Sequence, residues 1–233
     1  MALTTSARDP RASTGRSHRS EWLAGYAFIA IPMLLFLVLN IVARIWLPHE
    51  GLTRVPVVAI IEAIFLVVLI TSNPSGAAER HRLRHASLIL VGLLVAGALW
   101  ETGLLISDLI RGKGVSQDAG QLLATGAIVW LGNNLASSLL YWLMDGGGPL
   151  ARTRLSVPVD FAFTQQMSPE LAPPGWRPVF LDYLHLGFTN ATAFSPTDVM
   201  PLTHRAKYAM LVQSTVALAL IGLVVARAVN AFT

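Results

Sequence analysis

The sequence predicts an all-α, polytopic membrane protein of about five spanning helices, with a re-entrant helix and loop in its C-terminal half. Three observations predict it. Of the 233 residues, 54% are hydrophobic and only 13% are charged, about half the charge of an average soluble domain. The apolar residues fall in runs long enough to cross a hydrocarbon core of about 30 Å. Basic residues gather at the ends of those runs and in the short loops between them, the usual membrane arrangement. This placing accounts for the net charge of +4 without nucleic acid. The absence of cysteine excludes a disulfide framework, a thiol nucleophile and a Cys-ligated metal.

Residues 1–20 are rich in Arg, Ser and Thr without apolar periodicity and read as a disordered basic tail. Residues 21–118 form a three-helix membrane region. Its first helix is predicted over about Leu23–Ala43, kinked at Pro32, with Arg44 and Trp46 at its interfacial end. A short second helix, about Val57–Thr71, carries Glu62 and is stopped by Ser72-Asn73-Pro74-Ser75-Gly76. The loop Glu79–His85 is the most basic in the chain, and a third helix follows over about Ala86–Ile110. Gly92 and Ala96 give that helix a small-residue face, and Glu101 and Asp108 lie toward its far end.

Residues 119–233 form the last region. A fourth helix is predicted over about Ala119–Met144, with Gly120, Ala124 and Ala127 for close packing. Asn133 and Asn134 lie near its middle, and Trp130, Tyr141 and Trp142 read as interfacial anchors. Asp145-Gly-Gly-Gly-Pro149 ends it abruptly. The connector 150–177 is polar and Pro-rich, with a weak strand or hairpin signal over Leu155–Thr164. Then come a short helix, Val179–Phe188, too short to span; about a dozen small, polar and Pro-containing residues; and a spanning helix over about His204–Asn230. Irregular backbone is tolerated at membrane depth only where protein or a watery cavity surrounds it.

Thr197-Asp198-Val199-Met200-Pro201-Leu202-Thr203 resembles the Gly-Asp-x-x-Pro-x-Thr that follows the selectivity filter in the two-helix pore unit of tetrameric potassium channels. The likeness extends back through Thr189-Asn190-Ala191-Thr192. From Asp160-Phe161 through Trp176 and Asp182-Tyr183, the C-terminal part also resembles an uncharacterised family of bacterial integral membrane proteins with a degenerate channel-like pore motif. The resemblance implies a pore loop over Thr189, Asn190, Thr192, Ala193, Phe194, Ser195, Pro196, Thr197 and Asp198, with Asp198 as a hydrogen-bonding brace. The filter itself departs from the pattern. Ala193 stands where the coordinating Thr would be, and Ser195 and Thr197 replace both glycines. A carbonyl-lined filter alternates right- and left-handed backbone, which glycine adopts without steric cost and β-branched Thr does not. Pro196 further biases Ser195 toward extended backbone.

The intramembrane polar candidates are Glu62, Glu101, Asp108, Asn133 and Asn134. Each acid reads as part of a proton or cation relay; the alternative is that Glu101 and Asp108 lie near the interface and that Glu62 pairs with an Arg or Asn. The two asparagines read as interhelical hydrogen-bonding groups or as the lining of a polar path. Asp182 and His185, at i and i+3, share a helix face and read as a helix-end hydrogen bond or half of a metal site. No catalytic motif, cofactor motif or complete metal-ligand set is present, so no enzyme is expected.

The expected function is passive ion or small-solute permeation that is not selective for potassium, by a homo-oligomer, with a tetramer favoured because one loop cannot surround a path. The alternatives are a proton-coupled transporter using the intramembrane acids and a non-conducting accessory protein. The expected partners are the lipid bilayer, further copies of the chain and a monovalent cation. The expected location is the bacterial cytoplasmic membrane. The arginines of the tail, of the loop 79–85 and of the connector place the N-terminus and the mouth of the loop inside. That orientation inverts the potassium-channel arrangement, as ionotropic glutamate receptors do.

Overall fold

In a computed structural model of the chain, the described residues are 77–112, 119–148, 151–152, 158–192 and 198–231, with the isolated helical positions Leu34, Val38 and Ile41. Those three positions fall in the first predicted helix. The second predicted helix with Glu62, and the segment Ala193–Thr197, lie outside the described residues.

The described part is mostly helical. Its helices are α1 (Ala77–Arg111), α2 (Ala119–Met144), α3 (Phe180–Ala191) and α4 (His204–Ala231), joined by a small ribbon of β1 (Phe161–Phe163) and β2 (Val199–Pro201) and by single helical turns. Three segments are long and apolar enough to cross a membrane: His85–Arg111, Ala119–Gly147 and His204–Asn230. They correspond to the third, fourth and fifth predicted helices, and the described residues identify this chain as a membrane protein with three such spans. The expected count of five is not reached among these residues.

Helix α1 begins nine residues before the predicted Ala86, since it starts at Ala77. The basic segment that reads as a loop is helical because its stop signal is Pro74-Ser75-Gly76, and nothing between Ala77 and Gly92 breaks a helix. At 1.5 Å per residue, α1 is about 50 Å long, longer than a hydrocarbon core, so its basic first turns extend past the apolar layer.

Two apolar clusters fix how the helices run. Leu90, Val91 and Leu94 of α1 pack with Leu139 and Trp142 of α2 and Met210 of α4. Leu109 of α1 packs with Leu122 of α2 and Leu220 and Val224 of α4. The start of α1, the end of α2 and the start of α4 therefore share one end of an antiparallel bundle. Gly126 lets α2 and α4 approach closely, since a Cβ there would lie 2.7 Å from Val224 Cγ1. The predicted small faces lie elsewhere: Gly92, Ala96, Gly120, Ala124 and Ala127 are all exposed, so they are not the contacts that close this bundle.

Helix α3 starts at the same end and descends along α2. Its Phe180 ring meets Trp142 at 5.7 Å, and Phe188, two turns on, meets Trp130 edge-on at 5.3 Å. Trp142 and Tyr141 are buried and Trp130 is half-buried, so none of the three is the interfacial anchor that its type suggests. After α3 the chain returns to β2, which pairs antiparallel with β1 in the register Phe161↔Pro201 and Phe163↔Val199. The strand signal near residue 160 thus finds its partner in β2, far along the chain, and an otherwise all-α fold gains a two-stranded ribbon.

Candidate functional site

Helix α3 and its two attachments form the candidate site. The helix runs from Phe180 to Ala191, past the predicted Phe188. Its start is set by Asp182, whose carboxylate accepts the Val179 N–H at 2.7 Å and so satisfies an otherwise orphan donor of the first turn. Its last turn persists because Thr189 and Thr192 return their hydroxyl protons to the helix: Thr189 Oγ1 donates to the His185 carbonyl and Thr192 Oγ1 to the Phe188 carbonyl, each at 3.0 Å. Their oxygen lone pairs remain available as acceptors. Twelve residues of helix reach about 18 Å, so α3 ends beside the middle of α2 and α4.

At that depth a neutral belt holds it. Gln213 of α4 is the hub and is buried. Its Oε1 accepts from Tyr141 Oη at 2.6 Å and from Asn190 Nδ2 at 2.8 Å. Its Nε2 donates to the Gly187 carbonyl at 3.0 Å and to Asn134 Oδ1 at 3.3 Å. Asn190 Nδ2 also donates to the Met210 carbonyl at 2.9 Å. Gly187 allows the contact: a Cβ there would collide with Ser138 Oγ and lie 2.7 Å from Asn134 Oδ1. Asn134 and Asn190, predicted separately, are thus brought together, and Asn190 braces α3 to α4.

At the shared end a charged clasp holds the other end of α3. Three glycines at positive φ, Gly146, Gly147 and Gly148, turn the chain after α2. This leaves the buried Asp145 carboxylate accepting from the backbone N–H of Asp160 at 2.6 Å and of Phe161 at 3.2 Å, and from Tyr183 Oη of α3 at 2.5 Å. Arg152 pairs with it at 3.5 Å and lies over the Tyr183 ring at 5.1 Å. Asp160, also buried, accepts from Arg205 Nε at 2.6 Å and Thr203 Oγ1 at 2.6 Å. Burial alone would raise the Asp160 pKa, but the bonds from Arg205, Thr203 and the Gly146 N–H outweigh it and hold the carboxyl below its ordinary value. Burial pushes the Tyr183 phenol upward, and the neighbouring Asp145 carboxylate adds to the rise, so this phenol stays protonated and donating.

The outer face of α3 is different. His185 Nδ1 lies 3.4 Å from Asp198 Oδ2, and both side chains are largely exposed. The Asp198 carbonyl accepts the Thr164 N–H at 3.1 Å. Asp198 therefore tethers the returning chain both to α3 and to β1. His185 finds its carboxylate there and not in Asp182, its neighbour on the helix. Leu181 and Phe188 are exposed on the same helix.

Glu101 and Asp108 are half-buried in the second half of α1, whereas the belt is built from α2, α3 and α4. Glu62, Ala193, Phe194, Ser195, Pro196 and Thr197 lie outside the described residues. Gln213, Tyr141, Asp145, Asp160 and Arg205 are the site residues that sequence reasoning missed. The one signal that could have found them is a polar or acidic residue interrupting or ending an apolar run, as Gln213 does in α4. Comparison of the chain with protein-family models, with curated proteins and with solved structures finds no match.

Proposed function

We propose that this chain is the subunit of a channel-like membrane protein through which ions or small solutes pass passively, without selectivity for potassium. One observation carries the reading: a helix too short to span is bonded through buried polar groups to two helices that are long and apolar enough to span. The C-terminal end of α3 points its partial negative charge toward the middle of the bilayer, which favours a cation there. The outward lone pairs of Thr189 and Thr192 and the carboxylate of Asp198 have the same sign.

One copy supplies one such helix, so the path requires several copies about a closed axis, with four favoured. The exposed small residues of α1 and α2 suit packing between copies. The basic first turns of α1, Arg152, Arg177, Arg205 and Lys207 lie at the end from which α3 enters, and by the positive-inside rule that end is cytoplasmic. The test is flux from liposomes holding the purified protein. Sodium and potassium efflux at comparable rates without a proton gradient is the expected result. Strong preference for potassium removes the selectivity claim, strict dependence on a proton gradient favours the transporter, and absence of flux favours the accessory role. Mass measurement in mild detergent showing only monomer removes the tetramer.

A further inference from the structure

Trp130 and Asn133 of α2 stand apart from the satisfied belt beside them. Trp130 Nε1 and Asn133 Nδ2 are both buried and both lack a hydrogen-bond partner among the described residues. Asn133 is only 3% exposed. At i and i+3 the two share a helix face. It is the face toward α4, because Gly126, one turn before Trp130, abuts Val224, and Tyr141, two turns after Asn133, bonds Gln213. The tip of α3 closes this place from one side through the Phe188–Trp130 contact. An unpaired buried donor costs about 1–3 kcal/mol, and the bilayer interior offers no bulk water to relieve it.

The chemistry of the occupant follows from the donors. Two N–H groups present positive ends, so they repel a cation and donate to an oxygen lone pair. An anion is disfavoured by the nearby C-terminal end of α3 and by the absence of Lys or Arg from Ala119–Met144, Phe180–Ala191 and Tyr208–Ala226. We propose that Trp130 and Asn133 form an internal binding site for an uncharged oxygen acceptor: water, or the carbonyl or hydroxyl oxygen of a small neutral solute. The site lies beside the tip of α3, and it does not depend on the permeation reading.

Radiolytic hydroxyl-radical labelling of the full chain in liposomes tests it, because radicals generated from bound water mark the side chains around that water. With oxygen-18 water as the probe, slow-exchanging label is expected at residues 130–133. Asn133→Leu and Asn133→Val each remove one donor and leave the Trp130 ring in place as the reporter, and each is expected to lose most of that label while the protein stays folded. If Asn133→Leu does not fold, Asn133→Val alone decides. Repeating the labelling in urea, a weak radical scavenger, with the exposed Met167 of the connector as internal standard, separates the two occupants: protection of 130–133 beyond that of Met167 assigns the site to the solute, and label unchanged relative to Met167 assigns it to water. Unlabelled residues 130–133 in the wild type, or label that survives both substitutions, overturns the proposal.

Discussion

Where α2 stops and α4 begins, α3 is held by charges: Asp145 takes the Tyr183 hydroxyl and two backbone N–H groups, and Asp160 takes Arg205. Eleven residues back along α2, about 16 Å deeper, α3 is held by uncharged groups, with Gln213 between Asn134 and Asn190 and bonded by the Tyr141 hydroxyl. Both clusters join the same three elements. They differ because depth changes what a polar group costs. Near the bundle end, ionised groups can be paired and partly hydrated, and Arg205 keeps much of its side chain exposed. At mid-depth an ionised group is expensive, whereas an amide with every donor and acceptor matched costs little and fixes geometry. Breaking the charged end should therefore cost the most, and disturbing the neutral belt should chiefly shift position.

Removing Asp145 should have the largest effect. Asp145→Ala leaves Arg152 without its carboxylate and orphans the Tyr183 hydroxyl and two buried N–H groups, for a loss of about 3 kcal/mol or more. Thermal unfolding in detergent measures it, and a loss below about 1 kcal/mol would show that the clasp is not the main attachment of α3. Gly187→Ala attacks the belt sterically. Its Cβ would meet Ser138 Oγ and Asn134 Oδ1, for about 1–3 kcal/mol. Adding Ser138→Ala should restore part of that loss, since it removes the nearest atom. Equal destabilisation by the single and the double variant would place the strain elsewhere.

Gln213→Leu should rank next, at about 2 kcal/mol, because interhelical hydrogen bonds in membranes are individually modest and several are lost together. Its flux should change more than its stability does, since α3 would keep its clasp and lose its register. Unchanged flux in a folded Gln213→Leu protein would mean that the position of α3 does not govern the path.

The apolar spans were legible because run length and hydropathy are local. The limits Ala119–Met144 and the start at His204 follow directly, and Asp145-Gly-Gly-Gly announces the end of α2. The site was legible only in part. Asn134 and Asn190 stand out singly, but nothing in their spacing says that Gln213 joins them. Asp160 sits in a connector 45 residues from Arg205, and no local pattern pairs such residues. Tyr141 and Trp142 misled because aromatic residues near the end of an apolar run have the same signature whether they face headgroups or a core.

The acid limb of stability separates the clasp from the belt, because the belt holds no titrating carboxyl. The Asp160 carboxyl is held below its ordinary value of 3.8. A depressed folded pKa contributes stability that is present above the unfolded value and lost as pH falls through the folded one. Unfolding temperature should therefore stay level from neutral pH to about pH 4 and fall below it, and Asp160→Asn should flatten that fall while lowering the neutral plateau. A wild type and an Asp160→Asn protein with parallel acid profiles would remove Asp160 as the cause.

Asp198→Asn should have the smallest effect on the fold and a clear one on the path. Among the described residues its carboxylate meets the exposed His185, and exposed pairs of this kind contribute about 0–1 kcal/mol. The contact that ties Asp198 to β1 is made by its backbone carbonyl, which the substitution leaves in place. The unfolding temperature should accordingly shift little. The charge, by contrast, lies on the exposed outer face of α3 beside His185, where the proposed path would run. Neutralising it should lower the ratio of sodium to chloride permeation, measured as a shift of reversal potential toward the chloride value in a bilayer with a salt gradient. A folded Asp198→Asn protein with an unshifted reversal potential would leave Asp198 outside the path. A protein that failed to fold would make the side chain a brace of the bundle, as the resemblance to the potassium-channel pore unit implies for this position.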